Sequence, residues 1–236
     1  MNVDAVVEAV RDAQGRLFES VAGLSEDEVR APSMLPGWSR AHVLTHLARN
    51  ADSNTWMLDG ARVGESREQY PGGLTTRSAA IEAGAARALV DVLDDLAHTS
   101  ERLLAAYGRM DDASWDAFTR PTSSAMPARA GAFSRLREVE VHHVDLALGY
   151  SVADWPAWFV ETEIDRRTAS LGGRLTPGTA LHLEATDTGA SWDGGEGATR
   201  PSVSGPACWL LAWLLGRDVP AGTLVAPGGI PGLGAW

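Results

Sequence analysis

The residue types best suited to chemistry in this chain are a glutamate and two histidines in separate segments. Glu138 and His142 stand four positions apart, so on a helix they share one face and can bind a single ion. His46 lies 92 positions before Glu138 and supplies a third ligand if the two helices pack side by side. Two imidazoles and one carboxylate suit a zinc ion that keeps one coordination position open for chemistry.

The neighbouring polar residues leave alternatives open. His143 points about 100° around the helix from His142, so the four-residue spacing to the glutamate selects His142. Asp145 lies three residues beyond His142 and either orients that ligand by a hydrogen bond or is simply solvated. His42 shares a helical face with His46, and is either another candidate ligand or a polar neighbour.

Composition bounds the class of protein. The chain has 236 residues, of which 44% are hydrophobic and 22% charged, as in water-soluble globular proteins. Its formal charge is −11, from 20 lysines and arginines against 31 acidic residues. That balance argues against nucleic acid or an anionic membrane as a partner, because both attract clustered positive charge. We expect a monomer that acts on a small molecule.

Cysteine content and hydrophobic runs bear on the compartment. Cys208 is the only cysteine, which rules out an intrachain disulfide and fits a reducing environment. The first ten residues lack the basic and then apolar pattern of a secretion signal. No run reaches the roughly 18–20 apolar residues that span a bilayer. We expect a cytoplasmic protein.

Helical patterns fill the first 150 residues. Ser25 with Glu28 has the spacing of a capping box, and Ser39 is a suitable N-cap for the helix that carries His46. The hydrophobic spacing predicts four main helices, which form an antiparallel four-helix bundle; they cover residues 3–21, 39–60, 76–107 and 128–148.

The pattern changes after residue 150. Residues 180–186 alternate between apolar and polar side chains, as a half-buried strand does, and residues 202–204 form a second candidate strand. Residues 156–171 and 206–215 favour helices. The sequence therefore predicts an α+β protein, with a helical bundle at 1–150 and a smaller α+β domain at 151–236.

Two segments resemble a known family. The run Gly-Trp-Ser-Arg followed by Leu-Thr-His-Leu-Ala-Arg-Asn, and the run Arg-Glu-Val-Glu-Val-His-His-Val-Asp-Leu, resemble signatures of mycothiol-dependent maleylpyruvate isomerases. These enzymes belong to the DinB-like helical bundle superfamily of thiol-dependent metalloenzymes. The resemblance covers nearly the whole chain, including a Val-Ser-Gly and Leu-Leu-Gly-Arg-Asp segment near its end.

The resemblance implies roles for individual residues. His46, Glu138 and His142 match the zinc ligands of the family, although another divalent metal could take the site. Arg77 matches an arginine of a loop-to-helix segment, and Arg217 matches an arginine of the C-terminal domain implicated in the active site. Arg217 would then place that site between the two domains, and the low-molecular-weight thiol would be mycothiol.

The implied reaction converts maleylpyruvate to fumarylpyruvate, a cis-to-trans change about a carbon–carbon double bond. Because direct rotation is blocked, a nucleophile must add transiently. A zinc-activated thiolate would add to give an enolate whose bond can rotate, and elimination would return the thiol. Arg77 and Arg217 would hold the carboxylates of the substrate. We expect Cys208 to be inert within its apolar run.

Two other functions fit the same residues. A related S-transferase would use the same metal and mycothiol to conjugate an electrophile, such as a xenobiotic or a biosynthetic intermediate. A non-enzymatic module would bind a metal or an apolar molecule, with Trp209 and Trp213 lining a cavity. Both tryptophans are four residues apart, a spacing that more often reflects core packing.

Overall fold

The chain forms two structural units, Met1–Tyr150 and Ser151–Trp236. They are seen in a computed structural model that describes residues 2–121 and 124–234. The first unit is built mainly from helices, and the second combines helices with a sheet. The α+β class expected from the sequence is confirmed.

Seven helices and a two-stranded ladder make up the described part of the first unit. In chain order they are α1 (Val3–Val21), α2 (Glu26–Arg30), α3 (Arg40–Arg62), α4 (Gly73–Ala85), α5 (Leu89–Tyr107), α6 (Asp112–Asp116), β1 (Phe118–Thr119), β2 (Met126–Pro127) and α7 (Ala128–Asp145).

Helix starts follow the capping residues of the sequence. The Ser25 side chain accepts a hydrogen bond from the Glu28 amide, and the Glu28 carboxylate accepts one from the Ser25 amide, so the predicted capping box is present. Ser39 caps α3 in the same way, with the His42 side chain in the reciprocal position. These bonds satisfy backbone amides that the helices themselves leave unpaired.

The prediction of one helix over residues 76–107 is wrong. The chain forms α4 and α5 instead, with an extended backbone at Ala88 between them. The Arg30 guanidinium donates to the carbonyl oxygens of Ala85 and Arg87, which satisfies acceptors that the break exposes. Alanine favours helix on both sides of the break, so local propensity carries no sign of a tertiary contact from α2.

The final helix of the unit also ends earlier than expected. The sequence predicts an end at Leu148, whereas α7 ends at Asp145 and Ala147 has a positive φ of 53°. The amide of Met34 donates to the Asp145 carbonyl oxygen at 2.8 Å, and Arg40 Nε donates to the Leu146 carbonyl oxygen at 2.7 Å. These contacts bind the end of α7 to the first residue of α3 and to the segment before it.

Helices α3 and α7, which carry the predicted ligands, pack antiparallel. His46 contacts His142 near one end of the pair. Asn50 lies one turn later on α3 and contacts Arg135, which lies earlier on α7. Residue numbers therefore rise along one helix as they fall along the other.

Helices α3 and α5 run in the same direction. Arg49 of α3 pairs with Asp95 of α5 at 2.6 Å. Further along both helices, Asp52 pairs with Arg102. The intervening α4 returns the chain before α5 begins, and it also packs against α3. The helical bundle expected from the sequence is thus present. Within it, α3 runs antiparallel to α7 and parallel to α5.

The second unit centres on one strand. Its elements are a 3₁₀ turn (Val152–Asp154), α8 (Ala157–Ala169), a 3₁₀ turn (Leu171–Gly173), β3 (Gly178–Ala185), β4 (Ser191–Gly195), β5 (Gly197–Thr199), β6 (Ser202–Gly205) and α9 (Ala207–Leu214). Strand β3 pairs antiparallel with β4 and parallel with β5 and β6. Leu181, Leu183 and Ala185 are buried, as the alternating pattern predicts. None of the described helices combines the length and the hydrophobicity needed to cross a membrane.

Substitution of Gly84 tests the contact between α3 and α4. An added Cβ would lie 2.4 Å from Thr45 Cγ2, in a buried position. We expect Gly84→Ala to lower the free energy of unfolding by about 1–3 kcal/mol, as overpacking does. Thr45→Ser removes Cγ2 and should restore most of that loss in the double variant, as measured by urea denaturation.

Gly15→Ala is the matched control. Gly15 lies within α1, and its added Cβ would have no atom within 4 Å. The change should leave stability unchanged or raise it by up to about 1 kcal/mol, because alanine favours helix over glycine. Equal effects of the two glycine substitutions would contradict the close approach of α4 to Thr45.

Candidate metal centre

Two helices bring the predicted ligands together. His46 on α3 faces Glu138 and His142, which lie one turn apart on α7. His46 Nε2 lies 3.0 Å from Glu138 Oε2 and 3.1 Å from His142 Nε2, and the remaining pair is 3.6 Å apart. These three residues, here called the ligand cluster, are mostly buried, with His46 only 4% exposed.

The geometry of the ligand cluster suits a divalent metal. Bonds of about 2.0–2.2 Å in a tetrahedral site place neighbouring ligand atoms about 3.3–3.6 Å apart, close to the separations found here. Two nitrogens and one carboxylate oxygen are a donor set that zinc accepts, with a fourth position left for a water or a substrate. Among the described residues this is the group of three donors that could hold one ion.

Asp145 fixes the orientation of His142. Its Oδ2 lies 2.8 Å from His142 Nδ1, and the Asp145 side chain is fully buried. A carboxylate accepts hydrogen bonds, so Nδ1 carries a hydrogen and Nε2 is the ring nitrogen that faces the ligand cluster. This arrangement is the carboxylate–histidine pair that commonly supports metal ligands.

Arg77 contacts the other histidine. Its Nη2 lies 2.9 Å from His46 Nδ1, and its guanidinium lies 5.5 Å from the centre of the Tyr70 ring. Since a guanidinium only donates, His46 Nδ1 accepts in this arrangement and Nε2 donates toward Glu138. The Trp38 ring, 5.7 Å from the His46 ring, covers another side of the imidazole.

Burial and hydrogen bonding shift the pKa values of the ligand cluster. Burial lowers the pKa of His46 to about 4, although its hydrogen bond to Glu138 opposes the shift. Burial alone would raise the pKa of Glu138, but hydrogen bonds from His142 and His46 hold it well below its ordinary value. Burial alone would lower the pKa of His142, but its hydrogen bonds to Asp145 and Glu138 raise that pKa above its ordinary value.

Three residues singled out from the sequence lie outside the ligand cluster. His42 contacts Ser39 Oγ through Nδ1 at 2.7 Å and Glu82 through Nε2 at 3.2 Å, so both ring nitrogens are engaged elsewhere. His143 points to Ser20 Oγ at 2.8 Å. Arg217 belongs to the second unit, where its Nη1 donates to the Leu215 carbonyl oxygen at 2.8 Å.

Sequence reasoning missed two residues of this region. Trp38 precedes the N-cap of α3 and so gave no helical periodicity to read. Arg135 lies on α7, three residues before Glu138, and is fully buried despite its charge. Its spacing from Glu138 placed it on the same helical face, but an arginine there normally indicates a solvent-exposed side.

A cavity of about 370 Å³ lies in the same unit. Its walls include Gln69, Tyr70 and Arg120, and Tyr70 also contacts Arg77. The cavity wall therefore contains polar groups and the Arg120 guanidinium, and Tyr70 connects this wall to Arg77. Its volume falls within the range of small-molecule pockets.

The lowered pKa of His46 predicts a dependence of stability on pH. The imidazole titrates near 6.5 when unfolded and near 4 when folded, so the unfolded chain binds the proton first. The contribution of His46 to the free energy of unfolding is therefore complete above pH 6.5. It falls by at most about 3 kcal/mol as the pH drops toward 4. Urea midpoints with a chelator present should therefore fall more steeply in the native chain than in His46→Gln. Parallel pH profiles for the two proteins would contradict this assignment.

Comparison with known proteins gives the family. The family model described as Mycothiol maleylpyruvate isomerase N-terminal domain matches residues 10–147, which is more than half of the chain and includes the ligand cluster. A search of curated protein sequences gives no significant match.

Two solved structures share the fold. One is described as the crystal structure of the mycothiol-dependent maleylpyruvate isomerase, with a TM-score of 0.91 and 21% identity over 100% of this chain and 98% of that chain. The other is a mutant of that isomerase, with a TM-score of 0.91, 20% identity and the same coverage. At sequence identities of 20–21%, these two structures show only that the fold is shared. The family itself is shown by the family model, whose matched residues include α3 and α7. The chain belongs to the mycothiol maleylpyruvate isomerase family.

Proposed function

We propose that this chain is a metal- and mycothiol-dependent isomerase that converts maleylpyruvate to fumarylpyruvate. The observation that carries the proposal is the convergence of His46 Nε2, His142 Nε2 and Glu138 Oε2 within 3.6 Å of one another. Family membership supports the thiol, and the related solved structure is named for this reaction.

The ligand cluster would hold a divalent metal, with zinc as the first candidate. Bound metal would supply a Lewis acid that favours a thiolate at neutral pH, and mycothiol would supply the nucleophile for reversible addition. Glu138 contributes the one negative charge of the cluster. Asp145 keeps the His142 lone pair directed at the cluster by holding the hydrogen on Nδ1.

Arg77 is our candidate for binding a substrate carboxylate. A metal on His46 Nε2 requires the ring hydrogen on Nδ1, and the Arg77 guanidinium cannot accept that hydrogen. Arg77 must then turn away from Nδ1, and its half-buried position on α4 leaves room for a rotamer change. A guanidinium released beside the cluster can form two parallel hydrogen bonds to a carboxylate.

Arg217 is the second candidate for substrate binding, on the strength of the family resemblance. The chain carries a net charge of −11, so a dicarboxylate substrate needs local cations. Cys208 is a poor candidate for the nucleophile because burial raises the pKa of its thiol. An external thiol is therefore the better reagent.

A thiol-supplemented assay tests the proposal directly. The purified zinc-loaded chain should isomerise maleylpyruvate when mycothiol is added, and should be inactive without thiol or with excess chelator. Absorbance at a wavelength specific for fumarylpyruvate, together with mass spectrometry of the products, reports the outcome. Conjugation of the thiol without isomerisation would reject this reaction in favour of an S-transferase, and retained activity without metal would reject the metal site.

Variants of the ligands supply the controls for that assay. His46→Ala and His142→Ala should each lose bound metal and turnover together, by about 100-fold or more in kcat, while keeping their helix content. Arg217→Ala should keep its metal and lose activity, because its proposed role is substrate binding. Full zinc stoichiometry in both histidine variants would refute the ligand assignment.

Asp145→Asn tests the support given to His142. The amide can present its NH₂ group to Nδ1 and so no longer fixes the ring hydrogen there. We expect zinc affinity to fall about 10–100-fold, as measured by competition with a chromophoric chelator. Asp116→Asn is the matched control, since Asp116 is 69% exposed and pairs with Arg129 on the surface. Identical zinc affinities in the two variants would rule out the support.

A further inference from the structure

Arg135 carries a charge into the core beside the ligand cluster. It lies on α7, three residues before Glu138, with 0% of its surface exposed. Its Nη1 donates to the Leu47 carbonyl oxygen and to Asn50 Oδ1, each at 2.8 Å. Both acceptors lie on α3, one residue and one turn after His46.

The surroundings of Arg135 compensate its charge only in part: burial lowers the pKa of the guanidinium although the Glu138 and Asp52 carboxylates oppose the shift. Its Nε and Nη2 have no hydrogen-bond partner among residues 2–121 and 124–234, and no carboxylate of those residues forms an ion pair with it. A buried ion with neutral partners costs free energy, and an apolar side chain of similar volume is often at least as stabilising. Fold stability is therefore a weak explanation for an arginine here.

Position is a stronger explanation. The two acceptors of Arg135 are fixed parts of α3, because one is a helix carbonyl and the other accepts a second hydrogen bond from Asn54 Nδ2 at 3.2 Å. A guanidinium holds its donors in a rigid plane, so it resists sliding of α3 along α7. Sliding by one residue would move a ligand atom by about 1.5 Å, far beyond the tolerance of about 0.2 Å in metal sites.

We propose that Arg135 is a positioning residue that sets the register of α3 against α7 and thereby the separation of His46 from Glu138. The inference rests on the proposed function in one respect, namely that the ligand cluster binds a divalent metal. It adds a requirement outside the ligands themselves, since Arg135 would touch neither metal nor substrate.

The direction in which one substitution changes zinc affinity separates the positioning role from a purely electrostatic one. A positive charge beside a cation site repels the cation, so removal of the charge alone should tighten metal binding. Loss of the register contact should instead weaken it. Arg135→Met keeps the volume and removes both the charge and the hydrogen bonds, and therefore decides between the two.

The experiment uses the full chain stripped of metal and titrated with Zn²⁺ against a chromophoric chelator. We expect Arg135→Met to bind zinc about 10–100-fold more weakly, with a melting temperature equal to or above that of the native chain. Arg135→Lys, which can reach one acceptor, should recover part of the affinity.

The visible spectrum of the Co²⁺ form should change in Arg135→Met, because it reports coordination geometry. Arg102→Met, at a 63% exposed position, is the control and should bind zinc as the native chain does.

Each outcome decides a separate point. Equal or tighter zinc binding in Arg135→Met, with an unchanged Co²⁺ spectrum, overturns the positioning role and leaves the proposed function intact. If that variant does not fold, Asn50→Ala removes one acceptor and should weaken zinc binding several-fold; native affinity there overturns the role as well. Failure of the native chain to bind zinc more tightly than His46→Ala removes the metal site itself, and the inference with it.

Discussion

Two imidazole nitrogens cannot present lone pairs to each other across 3.1 Å unless a proton or a cation lies between them. His46 Nε2 and His142 Nε2 are at that distance, and a carboxylate oxygen of Glu138 lies 3.0 Å from the first. Because these side chains are largely removed from water, the solvent does little to relieve the conflict. A ring hydrogen on His46 Nε2, as the contact of Arg77 with Nδ1 requires, relieves the conflict when no metal is bound, and a divalent cation would relieve it for all three groups at once.

The fold meets this constraint with helices far apart in sequence. An antiparallel contact between α3 and α7 joins residues 92 positions apart, and hydrogen bonds on either side of the ligands hold the two helices together. Arg40 and the amide of Met34 bind carbonyl oxygens at the end of α7, next to Asp145. Arg135 joins the same two helices on the other side of the ligands. The ligand cluster is thus bounded along the helix axes by hydrogen bonds between them.

The sequence predicted the parts of this site that depend on local geometry. A four-residue spacing defines a helical face, which selected Glu138 with His142 and excluded His143. The buried position of Arg135 could not be read in the same way, because its acceptors become neighbours only when α3 and α7 pack. The break between α4 and α5 was missed for a similar reason: the carbonyl oxygens that it exposes are satisfied by Arg30, a residue more than 50 positions away. Hydrophobic periodicity predicts which residues share a helical face, but it does not predict contacts with residues of distant helices.

The distance in sequence between the ligands has a consequence for the tolerance of the protein to mutation. Local sequence brings only pairs of donors near each other, such as Glu138 and His142, whereas the folded bundle brings His46 to the same point. Ion binding would then act as a thermodynamic reserve, since free energy gained only in the native state adds to its stability. Substitutions elsewhere in the bundle would then be tolerated when metal is plentiful, although the same substitutions would destabilise the metal-free protein. The supply of the metal would thus affect which sequence changes the protein tolerates.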